Sequence, residues 1–426
     1  METGAGRRHA ADRSLTFAAF RVRSFRFQWP ADLLTSWAFE METLILGWYV
    51  MVQTGSVLVL TVFGSLQFLG TLAAPMFGVL GDRLGSRVML CAMRATCVVL
   101  AAILMLLGLA GVLTPAYVLI IAAVGGLVRP NDLVMRNSLI GDTIPRDHLM
   151  GALGMSRTTS DSARVAGALA GAGLSSTLGI GGAYVFVASF YVASLVLTLG
   201  VSRGRPIPDP SDEPSRGVRS PSLPRASNWR ELHEGLAYVW ATPKVLAAMC
   251  LAFLVNLTAY PVSNGLLPYV ARDVYRVDAT GLGRLVGSFA FGALLGSIAM
   301  VVTRRPRHPE RSTIISTAIW YALLLAFGLT RTMLPGVLLL ILIGIVQSIA
   351  MVSMAVSLLS AAGHRFRGRV MGVRTLAVYG LPLGLLASGA LIQRVGYPVT
   401  VSLYCVVGLV FTVLIWTRWR ASVWHA

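Results

Sequence analysis

Apolar stretches of about 20 residues, the length a helix needs to cross a bilayer, recur about twelve times along this chain. They fall near 28–52, 57–79, 88–109, 115–135, 151–176, 180–200, 245–270, 281–302, 312–330, 334–359, 369–393 and 397–417. Composition agrees, with 55% hydrophobic and 13% charged residues and a mean hydropathy of +0.71, where an ordinary soluble domain carries roughly 25% charged residues. The expected fold is an all-α polytopic membrane protein of about twelve transmembrane helices in two six-helix halves.

The N-terminus, "METGAGRRHAADRSLTFAAFRVRSFRFQWP", has no short apolar core followed by a small-residue cleavage site, so the first helix is expected to stay in the mature protein. Cys91, Cys97, Cys250 and Cys405 lie in apolar segments without metal-ligand spacing and read as small core residues. Neither a metal site nor another cofactor is expected.

Arginine gathers before helix 1 and in the connections after helices 2, 6, 8 and 10, whereas "QTGSV", "GLAGVLTP" and "GIGGA" carry none. By the positive-inside rule both termini are cytoplasmic in a cell membrane. The net charge of +18 is spread over every second loop and forms no single basic face, which argues for topology and against nucleic acid. The one composition break, at 202–243, opens with a Pro/Ser/Arg-rich linker and continues as "NWRELHEGLAYVW", an amphipathic interfacial helix. The expected organisation is a cytoplasmic segment at 1–27, a six-helix half at 28–201, the linker at 202–243, a second half at 244–418 and a tail at 419–426.

The halves resemble each other. Arg157, Thr158, Gly167 and Gly179 match Arg374, Thr375, Gly384 and Gly396, each 217 positions later, and "VFGSLQFLG" resembles "LVGSFAFGA". A parallel repeat of this kind implies substrate bound near mid-bilayer between the halves.

The sharpest motif is "GVLGDRLGSR" at 78–87. Gly78 and Gly85 permit a tight turn, Asp82 suits the positive end of the next helix, and Arg83 and Arg87 offer donors to a neighbouring helix end. The pattern G-x-L-x-D-R-x-G-x-R between helices 2 and 3 resembles the signature loop of the major facilitator superfamily, with Ser86 in place of a usual arginine. "LGWYVMVQTGSVLVLTVFGSLQFLG", "LIGDTIPRDHLMGALG", "HEGLAYVWATP" and "RFRGRVMGVRTL" are similar to the bacterial drug:proton antiporter branch, which includes siderophore exporters. The resemblance implies halves that rock about a central cavity and a signature loop that latches helices 2 and 3 against helix 11. Two departures stand out. Ala168 occupies the place of a proline frequent in the antiporters' helix 5, and "VVTRRPRHPER", the second-half counterpart of the loop, has lost its acid.

Charges inside apolar windows cost about 2.5–3.5 kcal/mol at the centre of a bilayer helix, so they mark candidate sites. On helix 5, Arg157, Asp161 and Arg164 share a face by i+4 and i+3 spacing, and the aspartate can pair with either arginine. They read as a structural ion pair at a helix start or as a cytoplasmic gate and anionic-substrate contact. Gly167 and Gly171 continue that face as a small-xxx-small packing stripe.

On helix 1, Glu40 and Glu42 point nearly opposite ways, about 200° apart. Glu40 shares its face with Asp32, Ser36, Thr43 and Gly47, and Glu42 with Thr35, Phe39, Leu46 and Tyr49. The resemblance favours Glu42, because relatives often carry a polar residue just after the methionine that Met41 matches. A carboxylate withdrawn from water holds its proton more tightly, which suits proton loading near neutral pH; the alternative is a structural pair with an arginine on another helix. Both glutamates remain proton-coupling candidates.

Asn256, Tyr260 and Asn264 form an i, i+4, i+8 stripe on helix 7, and Gln347 lies on helix 10, all four being candidates for a polar cavity face or for inter-helix hydrogen bonds. The lone lysine, Lys244, follows "WATP", so there is no P-loop. H-E-x-x-H and G-x-S-x-G are also absent, and the chain does not read as an enzyme. The expected function is secondary export of amphiphilic small molecules by alternating access, in exchange for protons, by a monomer in the lipid bilayer with no cofactor beyond the proton gradient. A coupled importer, a lipid flippase and a non-transporting membrane receptor are the alternatives.

Overall fold

The protein was analysed as a computed structural model that describes residues 20, 22–71, 80, 84–144, 146–201, 237–302, 308–361, 374 and 377–419. Gly78, Asp82 and Arg83 of the signature-like loop, most of the linker at 202–236 and the segment leading into helix 11 at 362–373 lie outside the described residues.

The described chain is helical, with no strand among the described residues. In chain order the long helices are α1 (Arg23–Thr54), α2 (Val57–Leu66), α3 (Ser86–Leu109) and α4 (Pro115–Thr143). One run, Arg146–Leu199, is split by non-helical backbone at Gly179 into α5 (146–178) and α6 (180–199). After these come α7 (Pro243–Val274), α8 (Ala279–Val302), α9 (Pro309–Leu329), α10 (Met333–Ala361), α11 (Gly380–Val395) and α12 (Tyr397–Arg418). Nine described segments are long and apolar enough to cross a bilayer, α5 and α6 counting as one run from Thr159. Large apolar side chains such as Leu106, Ile120 and Val196 are about 60% exposed, as side chains facing lipid must be. The protein is an all-α, multi-pass membrane protein.

The punctuation follows from backbone chemistry. α4, α7, α9 and α12 each carry proline in their first two positions, where a missing N–H costs no helical hydrogen bond. The chain reverses between α5 and α6 at Gly179 and between α11 and α12 at Gly396, with φ of 69° and 84°, a conformation that penalises any Cβ.

The chain separates into two compact units, Met1–Ile45 with Leu69–Pro221, and Leu46–Phe68 with Ser222–Ala426. In the first unit, α5 lies against α1 at Gly167 and Gly171. A Cβ on Gly167 would stand 2.8 Å from the Glu40 Cβ, and one on Gly171 would stand 3.0 Å from the Met41 Cα. In the second unit, α11 meets α7 the same way, since a Cβ on Gly384 would overlap the Leu257 carbonyl. Gly384 and Leu257 stand 217 positions after Gly167 and Glu40, so one helix contact recurs at one sequence offset, with leucine where the first unit has an acid. The second unit also packs α8 against α10 through Gly296 and Gly344, and α2 against α11, where the Ser65 hydroxyl donates to the Pro382 carbonyl at 3.1 Å. Small residues at these contacts let backbones approach closely, which is how helices associate when lipid removes the hydrophobic drive.

α7 is not regular throughout. Its turns at Pro261–Gly265 and Val270–Val274 are π-helical, with Leu266 N–H donating to the Pro261 carbonyl at 3.0 Å. Pro261 and Pro268 remove two N–H groups from the helical ladder, and wider turns absorb the mismatch.

Gly171→Leu is expected to destabilise the protein by about 1–3 kcal/mol through overpacking against Met41. Gly173→Leu, two residues away and facing open space, should leave stability unchanged. Thermal unfolding of the two variants in detergent checks the difference; equal melting temperatures would show that the α1/α5 contact does not depend on the glycine.

Candidate functional site

The first unit holds charges where lipid-crossing helices rarely carry them. Near the start of α1, Asp32 is 2% exposed and pairs with Arg94 of α3. Its carboxylate lies 3.6 Å from Nε of Arg136 on α4, which also pairs with Asp132 one turn earlier on its own helix. Arg136 donates to the Ser36 hydroxyl at 2.8 Å and to the Asp32 carbonyl at 3.2 Å, and Arg94 donates to the Thr198 hydroxyl on α6. Two acids and two arginines on three helices thus neutralise each other, which is what lets them stay buried.

A second pair lies deeper along α1. Glu42, 1% exposed, is joined to Arg129 of α4 and accepts a 2.9 Å hydrogen bond from the Tyr191 hydroxyl on α6. The Arg129 guanidinium sits 4.9 Å from the centre of the Phe39 ring, within cation–π range. Pro130 follows Arg129 inside α4 without ending the helix.

Glu40 has another fate. Its carboxylate stands 3.6 Å from Nε of Arg164 on α5, and the two side chains are 24% and 48% exposed. Both line a cavity of about 470 Å³ in the first unit. Ser36, Asp132, Arg136, Ser160 and Asp161 add polar groups to its wall, and Phe39, Val128 and Leu133 add apolar ones. The cavity is therefore amphiphilic, with both signs of charge in reach of a ligand.

The two helix-1 glutamates thereby separate. Glu40 faces the cavity, and Glu42 is a buried carboxylate held by an arginine on another helix. On α5, Asp161 and Arg164 both line the cavity, and Arg164 reaches across to Glu40 on α1. Arg157 lies in α5, its side chain outside the described residues. Of the signature-like loop, Gly85 adopts φ 87° at the start of α3, and Arg87 donates to the Leu199 carbonyl at the end of α6 at 2.5 Å, capping a helix terminus. Ser86, standing where an arginine is usual, donates to Asp142 at the end of α4 at 2.8 Å.

In the second unit, Gln347 of α10 donates to the Tyr260 hydroxyl at 2.8 Å, and the Tyr260 ring packs edge-on against Trp320. Asn256 donates to the Ala252 carbonyl within its own helix, and the exposed Asn264 donates to Ser263. Arg94 escaped the sequence reading although "LCAMRATC" places it inside an apolar window, which was the available signal. Among the described residues, no group of three His, Cys, Asp or Glu side chains is placed to hold a metal ion.

Arg129→Leu leaves the Glu42 carboxyl buried without its arginine. Its expected cost is about 3–5 kcal/mol, and the double substitution Glu42→Leu with Arg129→Leu is expected to recover most of that loss. Melting temperatures of the two singles and the double check it; strict additivity would show that the pair is not coupled.

The sequence profile of the Major Facilitator Superfamily matches residues 29–382. No curated protein sequence matches the chain significantly. Solved structures share its fold at low identity. A bacterial homologue of the human lysosomal transporter Spinster, inward-facing and unoccupied, superposes with a TM-score of 0.69 at 16% identity, over 92% of this chain and 96% of that one. A POT family transporter in complex with 5-aminolevulinic acid gives 0.69 at 13%, over 95% and 97%, and the nucleoside transporter NupG gives 0.63 at 14%, over 93% and 98%. With a profile match that runs from within α1 to within α11 and a fold shared along nearly the whole chain, the protein belongs to the major facilitator superfamily of membrane transporters.

Proposed function

We propose that the chain is a secondary active exporter of amphiphilic small molecules, of drug, siderophore or metabolite type, that works by alternating access in exchange for protons. It acts as a monomer in the cell membrane with both termini cytoplasmic, its halves at 28–201 and 244–418 moving about the linker at 202–243. The carrying observation is the Glu40–Arg164 pair. It lies near the middle of α1, is open to a cavity with apolar and charged walls, and is held at 3.6 Å, longer than a hydrogen bond.

A proton on Glu40 removes the attraction that holds Arg164, and loss of the proton restores it. One protonation event therefore alters both the charge of the cavity wall and a link between α1 and α5. Glu42, joined to Arg129 and Tyr191, keeps α1 in register. In the second unit, the π-helical turns of α7 and the small-residue contact at Gly384 supply a helix that can bend. Asp82, Arg83 and Gly78, with Gly85 and Arg87, serve the gating loop, and Arg157, Asp161 and Arg164 the inner gate and substrate contact. Asn256, Tyr260, Asn264 and Gln347 offer polar groups of the second unit to a substrate. The resemblance to the drug:proton antiporter branch along the sequence supports export over import.

The test is accumulation of dyes, antibiotics and siderophores in an efflux-deficient bacterium, with and without a protonophore. The wild type should lower accumulation in a protonophore-sensitive way. Glu40→Gln should abolish that effect while keeping normal yield and melting temperature, whereas Glu42→Gln should lower the melting temperature. Full proton-driven export by Glu40→Gln would remove Glu40 from the coupling role, and raised accumulation in the wild type would overturn export in favour of import.

A further inference from the structure

A groove in the second unit, unused by the reading above, has the dimensions and chemistry of a lipid site. It has a volume of about 770 Å³ and runs between α7 and α12, beside Ala377. Its walls are apolar, with Met249, Phe253 and Leu257 on one side and Val407, Phe411 and Leu414 on the other. Phe411 and Leu414 are about half exposed, so the groove opens outward along the helix pair.

Its depth is informative. The lining runs from Leu246 to Leu257 on α7 and from Val407 to Arg418 on α12. At 1.5 Å per residue each stretch covers about 16 Å, close to the roughly 15 Å that makes half of a 30 Å hydrocarbon core. One end of the groove thus lies at the membrane surface and the other near the midplane, which is the reach of one acyl chain of one leaflet.

The surface end carries the polar chemistry. Trp240, 78% exposed, and Trp419 flank it, in the manner of interfacial indoles. Arg418 is the one charged residue among those lining the groove, and its guanidinium stands 5.8 Å from the centre of the Trp419 ring. Among the described residues that line the groove, one cation stands at the mouth of an otherwise uncharged slot, which complements a ligand whose single negative charge sits at the head of a long apolar tail.

We propose that this groove binds an anionic phospholipid, with one acyl chain between α7 and α12 and the phosphate on Arg418. The site is separate from the first-unit cavity and does not depend on the transport direction. The lipid lies against the stretch of α7 just before its π-helical turns, where an occupied groove would hold that helix against α12.

The experiment uses the purified full-length chain in detergent with phosphatidylglycerol bearing a diazirine in one acyl chain, and a phosphatidylcholine analogue with the same chains. After illumination, the labelled residues are mapped by mass spectrometry. Phosphatidylglycerol should label Met249, Phe253 and Phe411 about fivefold more than phosphatidylcholine, the worth of one basic residue facing an anionic lipid. Arg418→Gln should bring the two lipids to parity, and Cys250→Trp, which fills the slot, should remove groove labelling for both while the melting temperature reports that the protein still folds. Labelling spread evenly over other lipid-facing helices, equal labelling by both lipids in the wild type, or groove labelling only after residues 420–426 are removed would each overturn the proposal, the last by showing that the chain's own tail fills the groove.

Discussion

A charge carried into lipid must find an opposite charge or water, and this requirement orders the first unit. α1 brings three acids into the helix bundle, Asp32, Glu40 and Glu42, and each meets an arginine from a different helix: Arg94 from α3, Arg164 from α5 and Arg129 from α4. The three contacts fix the rotation and height of α1 against its neighbours at once, because sliding or turning the helix would expose at least one carboxylate to lipid. Breaking such a pair costs more than forming it gains, so the pairs act as a register and contribute little net stability.

The same rotation decides the chemistry. With Asp32 held between Arg94 and Arg136, and Glu42 held by Arg129 and Tyr191, Glu40 is left on the face that opens to the cavity. Glycines at 167 and 171 bring α5 close enough for Arg164 to reach it. Close packing and charge pairing are therefore two parts of one arrangement: the small residues set the distance and the arginine uses it.

The second unit repeats the packing without the charge. Gly384 presses on α7 at Leu257, as Gly167 presses on α1 at Glu40. What the described residues of the second unit show in place of buried inter-helix ion pairs is an irregular α7 and a hydroxyl–amide contact between Tyr260 and Gln347. Hydrogen bonds between neutral groups rearrange at lower cost than buried ion pairs, so among the described residues the buried ion pairs gather in one unit and the irregular helix lies in the other.

The sequence by itself determined the helices, the membrane, the sharp turns and the family, because these depend on local length, hydropathy and glycine or proline chemistry within a few residues. It also named the three helix-1 acids and Arg164, since a carboxylate or guanidinium in an apolar window announces itself, and it placed Glu40 and Glu42 on opposite faces from helical periodicity alone. Only the tertiary structure decided which glutamate meets the cavity, that Arg164 belongs to Glu40, that Asp32 sits between two arginines from different helices, and that α7 and α12 enclose a groove ending at Arg418. Periodicity fixes directions within one helix, whereas the partner of a side chain depends on the rotation and separation of two helices far apart in sequence, and those are set by the packing of all of them together.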